Sequence, residues 1–552
     1  MTKTQKFWAL TVITLIALIA VGHWSVPNGD PGGPSGGAAN GGATVANITK
    51  APGGVANNPL GVTKVPLSAA GMQELATHVG HLAISINFVW LLITGFLVLF
   101  MQVGFAFLVT GLTRAKNAGH MMMMNLVSFV VALMAYYAVG FAFQFGGVAP
   151  ITNLGGTAGL NSIFGHGSAG FIGYHGFFLQ TGSTYDVGVL AFFLFQVVFM
   201  ETAGYIIIGA IAERISFAGF LFAEVAMGAI VYPIYGNWMW GGGWLAKLGV
   251  SAGLGHGAVD FAGSGVVHAT GGWAALALAM LLGPRIGKYR ADGTPRAFPG
   301  HNLGYVVIGT LVLTFGWMGF NPGSTFGATD LRIGIVAVNT LLSACAGAIL
   351  AMAWTNWKWG KPDISMTCNG MLAGLVAITA PCAFVAPWAA VVIGMVAGIL
   401  VCMSVEFFDK KAKVDDPCGA ISVHGTCGAW GVLSVGLFAD GTYGLGWNGV
   451  SGTVRGLFYG GGGGGQLLAQ IIDVIVGFIW AWGAMYLLFL VAKRFMRTRV
   501  SPEVEIEGLD EGEFGQVCYP DFVIRVETDT GITHELDAAS TGSGAGAPVS
   551  SS

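Results

Sequence analysis

Long apolar segments, broken by short stretches of charged and turn residues, follow one another along most of the chain. Each is long enough to cross a bilayer as an α-helix. They lie near residues 84–112, 121–146, 187–211, 216–238, 262–284, 303–322, 333–354, 366–385, 387–407, 418–438 and 464–492. This pattern predicts an all-α polytopic membrane protein with 11 transmembrane helices.

The two ends of the chain differ from this apolar middle. Residues 1–22 predict a signal peptide, with Lys3 and Lys6 ahead of an apolar run, although an uncleaved first helix is the alternative. Residues 23–79 are rich in Gly, Pro, Ala and Asn and predict a disordered extracytoplasmic tail. A membrane domain over 80–495, a cytoplasmic tail over 496–534 and a disordered end over 535–552 complete the predicted organisation.

Composition supports the membrane assignment. Only 9% of residues are charged, against about 25% in soluble domains. The net charge is −3 and no basic block occurs, so nucleic acid is not an expected partner. The seven cysteines form no C-x-x-C pair, so we expect neither a disulfide framework nor a structural metal, and no cofactor.

Basic residues predict the orientation. With the amino end outside, the inner loops and the start of the C-terminal tail hold 16 Lys and Arg residues, and the outer loops hold three. Such a bias places the basic side in the cytoplasm. We therefore expect a multi-pass protein of the cell membrane, with its amino end outside and its carboxyl end inside.

One motif occurs twice. The stretch D-F-A-G-S-G-V-V-H-A-T-G-G-W begins at Asp260, and D-D-P-C-G-A-I-S-V-H-G-T-C-G-A-W ends at Trp430. His268 follows Asp260 by eight residues, as His424 follows Asp416. The two copies begin from opposite faces, which predicts two inverted five-helix repeats plus a final helix. Because eight helical residues rise about 12 Å, both histidines should meet near the midplane.

The paired histidines are the first functional candidates. Ionisable residues inside a membrane usually face a pathway or a partner. Desolvation favours the neutral imidazole, so the pair can share one hydrogen bond and still contact a small polar solute or relay a proton. For Asp416 we predict a helix cap, and for Asp260 a cap that also attracts a cation at the outer mouth.

Aromatic residues gather toward the predicted outer face. Phe195 and Phe199 lie one helical turn apart, Trp240 follows the fourth segment, and Trp317 and Phe320 end the sixth, which closes with Ser324. Ring faces attract cations. The alternative is an ordinary belt of aromatic residues at the membrane interface.

Several motifs together resemble one family, the Amt/Mep/Rh ammonium transporters, over residues 80–520. They are G-L-T-R-A-K-N, G-A-I-A-E-R-I, N-W-M-W-G-G-G, G-F-N-P-G-S and both copies of the Asp–His motif. The resemblance implies a homotrimer with one pore in each subunit, a regulatory C-terminal tail and a possible PII-type signal protein as partner. Trp240 favours the Amt/Mep branch.

The resemblance also implies residue roles. Phe195, Trp240 and Ser324 match an outer ammonium site that Asp260 supports, and Phe199 and Phe320 match a stacked gate. His268 and His424 match the paired histidines of a narrow pore, with Trp317 beside them. The implied mechanism is recruitment of NH4+, loss of its proton, passage of NH3 and reprotonation inside.

Two positions depart from this pattern. Glu201 lies inside the third segment, about 200° around the helix from Phe199, and is expected to face a neighbouring element or an interface. Phe514 stands where the resemblance predicts a histidine. The alternative functions are a gas channel of Rh type, an ammonium sensor, or a membrane metalloenzyme that uses the two histidines and Asp260.

Overall fold

The computed structural model describes residues 69–146, 148, 151–156, 163–165, 170–179, 187–527 and 533–537. The predicted signal peptide, most of the predicted amino-terminal tail and residues 538–552 lie outside these ranges. In chain order the long helices are α1 (Ala69–Leu112), α2 (Ala115–Phe145), α3 (Val187–Ile211), α4 (Phe217–Met239), α5 (Ser264–Leu282), α6 (Leu303–Gly323), α7 (Ile333–Trp359), α8 (Ile364–Ile378), α9 (Pro387–Ala412), α10 (Ile421–Phe438) and α11 (Gly463–Phe495), and a short helix, Leu248–Ala252, lies between α4 and α5.

These helices make the chain a multi-pass membrane protein. Ten of those described are long and apolar enough to cross a bilayer. The remaining long helix, α8, has 15 residues and is followed by turns rather than by further helix. The first helix begins at Ala69, so residues 69–79, predicted to be part of a disordered tail, belong to α1.

Local signals in the sequence set several helix starts. Side chains of Ser216, Asn302 and Asp363 each accept a hydrogen bond from the backbone N–H three residues later, and so cap α4, α6 and α8. Pro387 occupies the first turn of α9, where its missing N–H costs nothing.

Two short hairpins depart from the all-α prediction. Strands β1 (Ile163–Phe164) and β2 (Ile172–Gly173) pair antiparallel, as do β3 (Val523–Glu527) and β4 (Thr533–Asp537). The last strand therefore includes residues 535–537, which were predicted to be disordered. Between α11 and β3 lie two short helices, α12 (Pro502–Glu507) and α13 (Leu509–Phe514).

Glycines let the helices at the centre of the molecule approach closely. Gly104 of α1 and Gly309 of α6 face each other, and a Cβ on Gly309 would lie 2.6 Å from the Gly104 carbonyl oxygen. Gly272 of α5 likewise lies against Gly425 of α10. Small residues at such crossings are typical of helix packing in membranes. The second crossing determines the position of the histidines.

Helices α5 and α10 run antiparallel. Arg285, just after α5, bonds to Asp415, just before α10. We call this end of the molecule the tail face, because α12 docks there, and the end with Asp260 the cavity face. Each of the two helices opens with a π-helical turn, Ser264–Ala269 and Ile421–Thr426. Turns of this kind are rare and occur frequently at functional sites.

Candidate functional site

The two aspartates cap their helices in the same way. Asp260 accepts hydrogen bonds from the backbone N–H groups of Gly263, Ser264, Gly265 and Val266, at 2.8 to 3.0 Å. Asp416 accepts from Gly419, Ala420 and Ile421, at 2.8 to 3.1 Å. A glycine with positive φ stands three residues after each aspartate, Gly263 at +115° and Gly419 at +76°.

Burial and capping act on both carboxyls in opposite directions. Burial raises the pKa of Asp260 above its ordinary value, and its four backbone donors oppose that rise without cancelling it. The same balance leaves the pKa of Asp416 raised, with the neighbouring Asp415 adding to the effect of burial. Both oxygens of Asp260 already accept two hydrogen bonds each. A cation nearby therefore interacts with the charge of Asp260 rather than with a free oxygen.

The two π-helical turns bring the histidines together. The Nδ1 atoms of His268 and His424 lie 3.3 Å apart, and their ring centroids are separated by 5.3 Å. Two neutral rings that share one hydrogen at this contact must differ at Nε2, where one donates and the other accepts. The pair is thus able to contact a small polar molecule with either role.

Aromatic rings connect the histidines to the cavity face. Trp317 stacks on His268 at 5.0 Å and donates its indole hydrogen to Thr379. Phe320 lies 5.4 Å from His268 and stacks on Phe199 at 4.0 Å. The centroids therefore form a continuous series from Phe199 through Phe320 to the two histidines, and it lies entirely among buried residues.

Above this series lies a cavity of about 240 Å³. Its lining includes five of the residues predicted from sequence, namely Phe195, Phe199, Trp240, Asp260 and Ser324. The Trp240 indole donates to the Asp260 carbonyl oxygen, and the Ser324 hydroxyl donates to the Phe320 carbonyl oxygen. The structure thus brings together the predicted outer site and places the predicted gate at its floor.

The cavity also contains residues that the sequence did not indicate. Phe326 packs against Phe195 at 5.5 Å, and its backbone adopts a positive φ of 56°. Arg332 lines the same space but pairs with Asp330 through two nitrogens, which neutralises its charge. In the sequence, this ion pair could have been inferred from the spacing of Asp330 and Arg332, which lie two residues apart.

Comparison with known proteins identifies this arrangement. The model of the Ammonium Transporter Family matches residues 89–519. Ammonium transporter Amt2 of Archaeoglobus fulgidus is 50% identical over 440 residues, which cover 79% of this chain and 89% of that protein. The chain belongs to the ammonium transporter family.

Solved structures agree with this membership. A structure titled Sensor Amt Protein matches with a TM-score of 0.67 and 36% identity, over 78% of this chain and 99% of that one. Mep2 of Candida albicans matches with a TM-score of 0.64 and 27% identity, over 76% of this chain and 87% of that one. Amt2 is named as an ammonium transporter, and the first structure is titled as a sensor.

In this family member the tail face holds a buried ionic network. Glu213, in the G-A-I-A-E-R-I motif, pairs with Arg114 and Arg285, and Arg285 also pairs with Asp415. Burial alone would raise the pKa of Glu213, but the two arginines outweigh it and lower that pKa to about 2. Arg285 and Arg214 outweigh the effect of burial on Asp415 and hold the pKa of that carboxyl well below its usual range. Glu505 of α12 bonds to Arg499 and to the backbone N–H of Ile286, and so joins the tail to this network.

The structure also shows the surroundings of Phe514 and Glu201, the two positions that depart from the family pattern. Phe514 stacks on His120 at 5.4 Å and contacts Phe217, so it anchors α13 to the tail face. Glu201 is buried within the subunit and faces α4 rather than the cavity. Among the described residues, no group of three or more His, Cys, Asp and Glu side chains is arranged to hold a metal ion.

Proposed function

We propose that the protein takes up ammonium by recruiting NH4+ in the cavity, removing its proton and conducting NH3 past the two histidines. The observation that carries the proposal is the unbroken series from the cavity through Phe199 and Phe320 to His268 and His424. The proton that NH4+ loses either returns to the outer solution, so that NH3 alone crosses, or is relayed along the two histidines and rejoins NH3 inside.

Recruitment depends on the chemistry of the cavity. The rings of Phe195 and Trp240 offer negative faces to a cation, and Ser324 offers a hydroxyl oxygen. The Asp260 carboxylate adds an attractive field. Its oxygens remain occupied by backbone donors, so Asp260 stabilises NH4+ without binding it directly.

The stacked rings of Phe199 and Phe320 act as the gate. Their centroids are 4.0 Å apart, which leaves no space for a hydrated ion between them. Moving a bare ion into such an apolar passage is costly, whereas neutral NH3 passes. Potassium has no proton to lose, so the same passage rejects it. Beyond the gate, His268 and His424 offer a donor and an acceptor to NH3, with Trp317 packed against the first ring.

Topology and assembly complete the proposal. We assign 11 membrane helices in two inverted five-helix repeats plus a final helix, with the cavity face outside the cell membrane and the tail face in the cytoplasm. Family membership and the docked tail support a homotrimer whose tail face meets a PII-type signal protein. The cap on α10 assigns Asp416 a structural role.

The test is current and uptake recording on proteoliposomes under an ammonium gradient, with His268→Ala and His424→Ala compared with the wild type. We expect each variant to lose transport by on the order of 100-fold, the usual contribution of one positioned proton-transfer group. Unchanged uptake in both variants would defeat the role of the pair. Currents without a matching ammonium dependence would instead indicate a leak.

Ammonium sensing is a second candidate, favoured by the likeness to the structure titled Sensor Amt Protein. A sensor binds ammonium in the cavity without sustained flux. Calorimetric binding of methylammonium to purified protein that shows no uptake in proteoliposomes would support sensing. A Rh-type gas channel would show uptake that Trp240→Leu leaves unchanged.

A further inference from the structure

Two buried glutamates face each other away from the pore. Glu201 lies on α3 and Glu224 on α4, and their side chains are 1% and 0% exposed. They are close enough for each charge to act on the other. Helix α2 closes the third side with Ser128, whose hydroxyl points toward Glu224 without completing a hydrogen bond.

Neither glutamate has the partners that a buried carboxylate needs. One oxygen of Glu201 and both oxygens of Glu224 are buried without a hydrogen-bond partner in the described part of the chain. Within the same residues, neither forms an ion pair with a Lys, Arg or His. Glu213, nearby on the chain, shows the opposite arrangement, because two arginines and a backbone N–H compensate its charge.

A glycine on α3 makes room for the Glu224 side chain. A Cβ on Gly204 would lie 2.6 Å from an oxygen of Glu224 and 3.2 Å from the Ser128 hydroxyl. Gly204 is thus the position on α3 that lets Glu224 enter the helix interface. The other ionisable group acting here is the phenol of Tyr205 on α3, whose hydroxyl donates to Gln102 of α1.

Electrostatics then dictates the protonation of the pair. An isolated carboxylate in an apolar interior is strongly destabilised, and a second carboxylate beside it adds repulsion. No cation among the described residues offsets either effect. Two such acids retain at least one proton and titrate as a coupled pair.

We propose that Glu201 and Glu224 form an intramembrane proton-binding site, separate from the pore, whose two carboxyls hold at least one proton at neutral pH. The ligand is H+, and the site lies between α2, α3 and α4. Since Glu201 is about 200° around α3 from Phe199, the proton is held on the far side of the helix that carries the gate. The inference does not depend on the proposed transport cycle.

Infrared spectroscopy of the purified full-length protein tests this inference. Protonated carboxyls absorb as a C=O band that shifts in D2O, and ionised carboxylates do not contribute to that band. At neutral pH we expect the double variant E201Q/E224Q to lose D2O-sensitive absorbance equal to one or two carboxylic acids. Single variants E201Q and E224Q should shift the remaining band, because each leaves one buried acid without its neighbour.

The control is Glu406→Gln, which removes a carboxylate that pairs with Lys358. That variant should leave the C=O band unchanged. Thermal unfolding of each variant checks that the fold is intact, and glutamine preserves the shape of both side chains. An identical C=O band in the wild type and the double variant would overturn the inference, since it would mean that both acids are ionised and require a bound cation.

Discussion

The two copies of the Asp–His motif share a scaffold and differ in their surroundings. In each copy an aspartate caps a π-helical turn, a glycine with positive φ follows the aspartate, and a histidine lies within the turn. Around Asp260 lie aromatic rings and a cavity. Beside Asp416 lies Asp415, which is bound into a network of arginines.

The comparison distinguishes the residues that position the histidines, which both copies share, from the residues that we propose to select the solute. The caps and turns hold both imidazoles at one point, one from each face. Among the described residues, those at the cavity face combine an acidic charge with ring faces and a free volume, whereas those around Asp416 form an ionic network. The repeated scaffold therefore carries an aromatic cavity at one end, where we propose that NH4+ is recruited, and an ionic network at the other.

The largest contrast is expected between Asp260→Ala and Asp416→Ala. Loss of Asp260 removes the field in the cavity and also leaves four buried N–H groups unpaired. Ammonium uptake should fall by on the order of 100-fold or more, comparable to the loss of one preorganised electrostatic group. Uptake in proteoliposomes should fall far less for Asp416→Ala.

Asp260→Asn separates the contribution of the Asp260 charge from that of its hydrogen bonds to the backbone. Its amide oxygen can still accept from backbone donors, whereas its charge is absent. A variant that folds with wild-type thermal stability and still loses uptake would assign the effect to charge. Equal losses of uptake in the two alanine variants would contradict the asymmetry between the faces.

The sequence was sufficient for the parts of the site that depend on spacing. An interval of eight residues between Asp and His, occurring twice, predicted both the caps and the meeting of His268 and His424. Helical spacing also placed Phe195 and Phe199 on one face. These predictions succeed because a regular helix converts residue number directly into position.

Other features depended on tertiary contacts that spacing does not encode. The angle of Glu201 on α3 showed that it faces away from Phe199, but not that Glu224 lies opposite. Arg332 is one of the three basic residues that the sequence placed in outer loops, and its place in the cavity follows from the path of its loop. Residues 69–79 are polar enough to resemble a tail, yet they continue the first helix.

Lowering the pH should reduce the stability contributed by the tail face more than that contributed by the cavity face. The folded-state pKa of Glu213, about 2, is below its unfolded value of 4.5, so its stabilisation is complete above about pH 5 and is lost as the pH falls toward 2. The contribution is about 3 kcal/mol at neutral pH. Between pH 6 and pH 3, the midpoint temperature of thermal unfolding should fall more steeply for the wild type than for Glu213→Gln.

Asp330→Asn provides the matched control at the cavity face. Asp330 pairs with Arg332 but is partly exposed to solvent, so its pairing contributes little to stability. The midpoint temperature of this variant should depend on pH as that of the wild type does. A profile for Glu213→Gln as steep as that of the wild type would show that the acid response arises elsewhere.

The two glycines give a smaller contrast. Gly263→Ala places a Cβ 2.6 Å from Val267 and 3.1 Å from Trp240, at a φ of +115°. Gly419→Ala, at +76°, instead meets the amide nitrogen of Asn369 at 2.9 Å, which is at the far end of a side chain. Denaturation should show a loss of about 3 kcal/mol for the first and about 1 kcal/mol for the second. The reverse order would mean that neither the backbone angle nor the contacts of the added Cβ determine the loss.

The smallest contrast concerns the ring face of Trp240. Its indole lies 6.3 Å from the Phe199 ring and lines the cavity, so Trp240→Leu should remove about 1 kcal/mol of cation attraction and raise the KM for methylammonium about fivefold. Trp430→Leu is the control, because that indole lies on α10 and donates to the Ile393 carbonyl oxygen. Its KM should not change. Equal increases in both variants would mean that Trp240 acts through packing, and the asymmetry between the two faces would then rest on Asp260 alone.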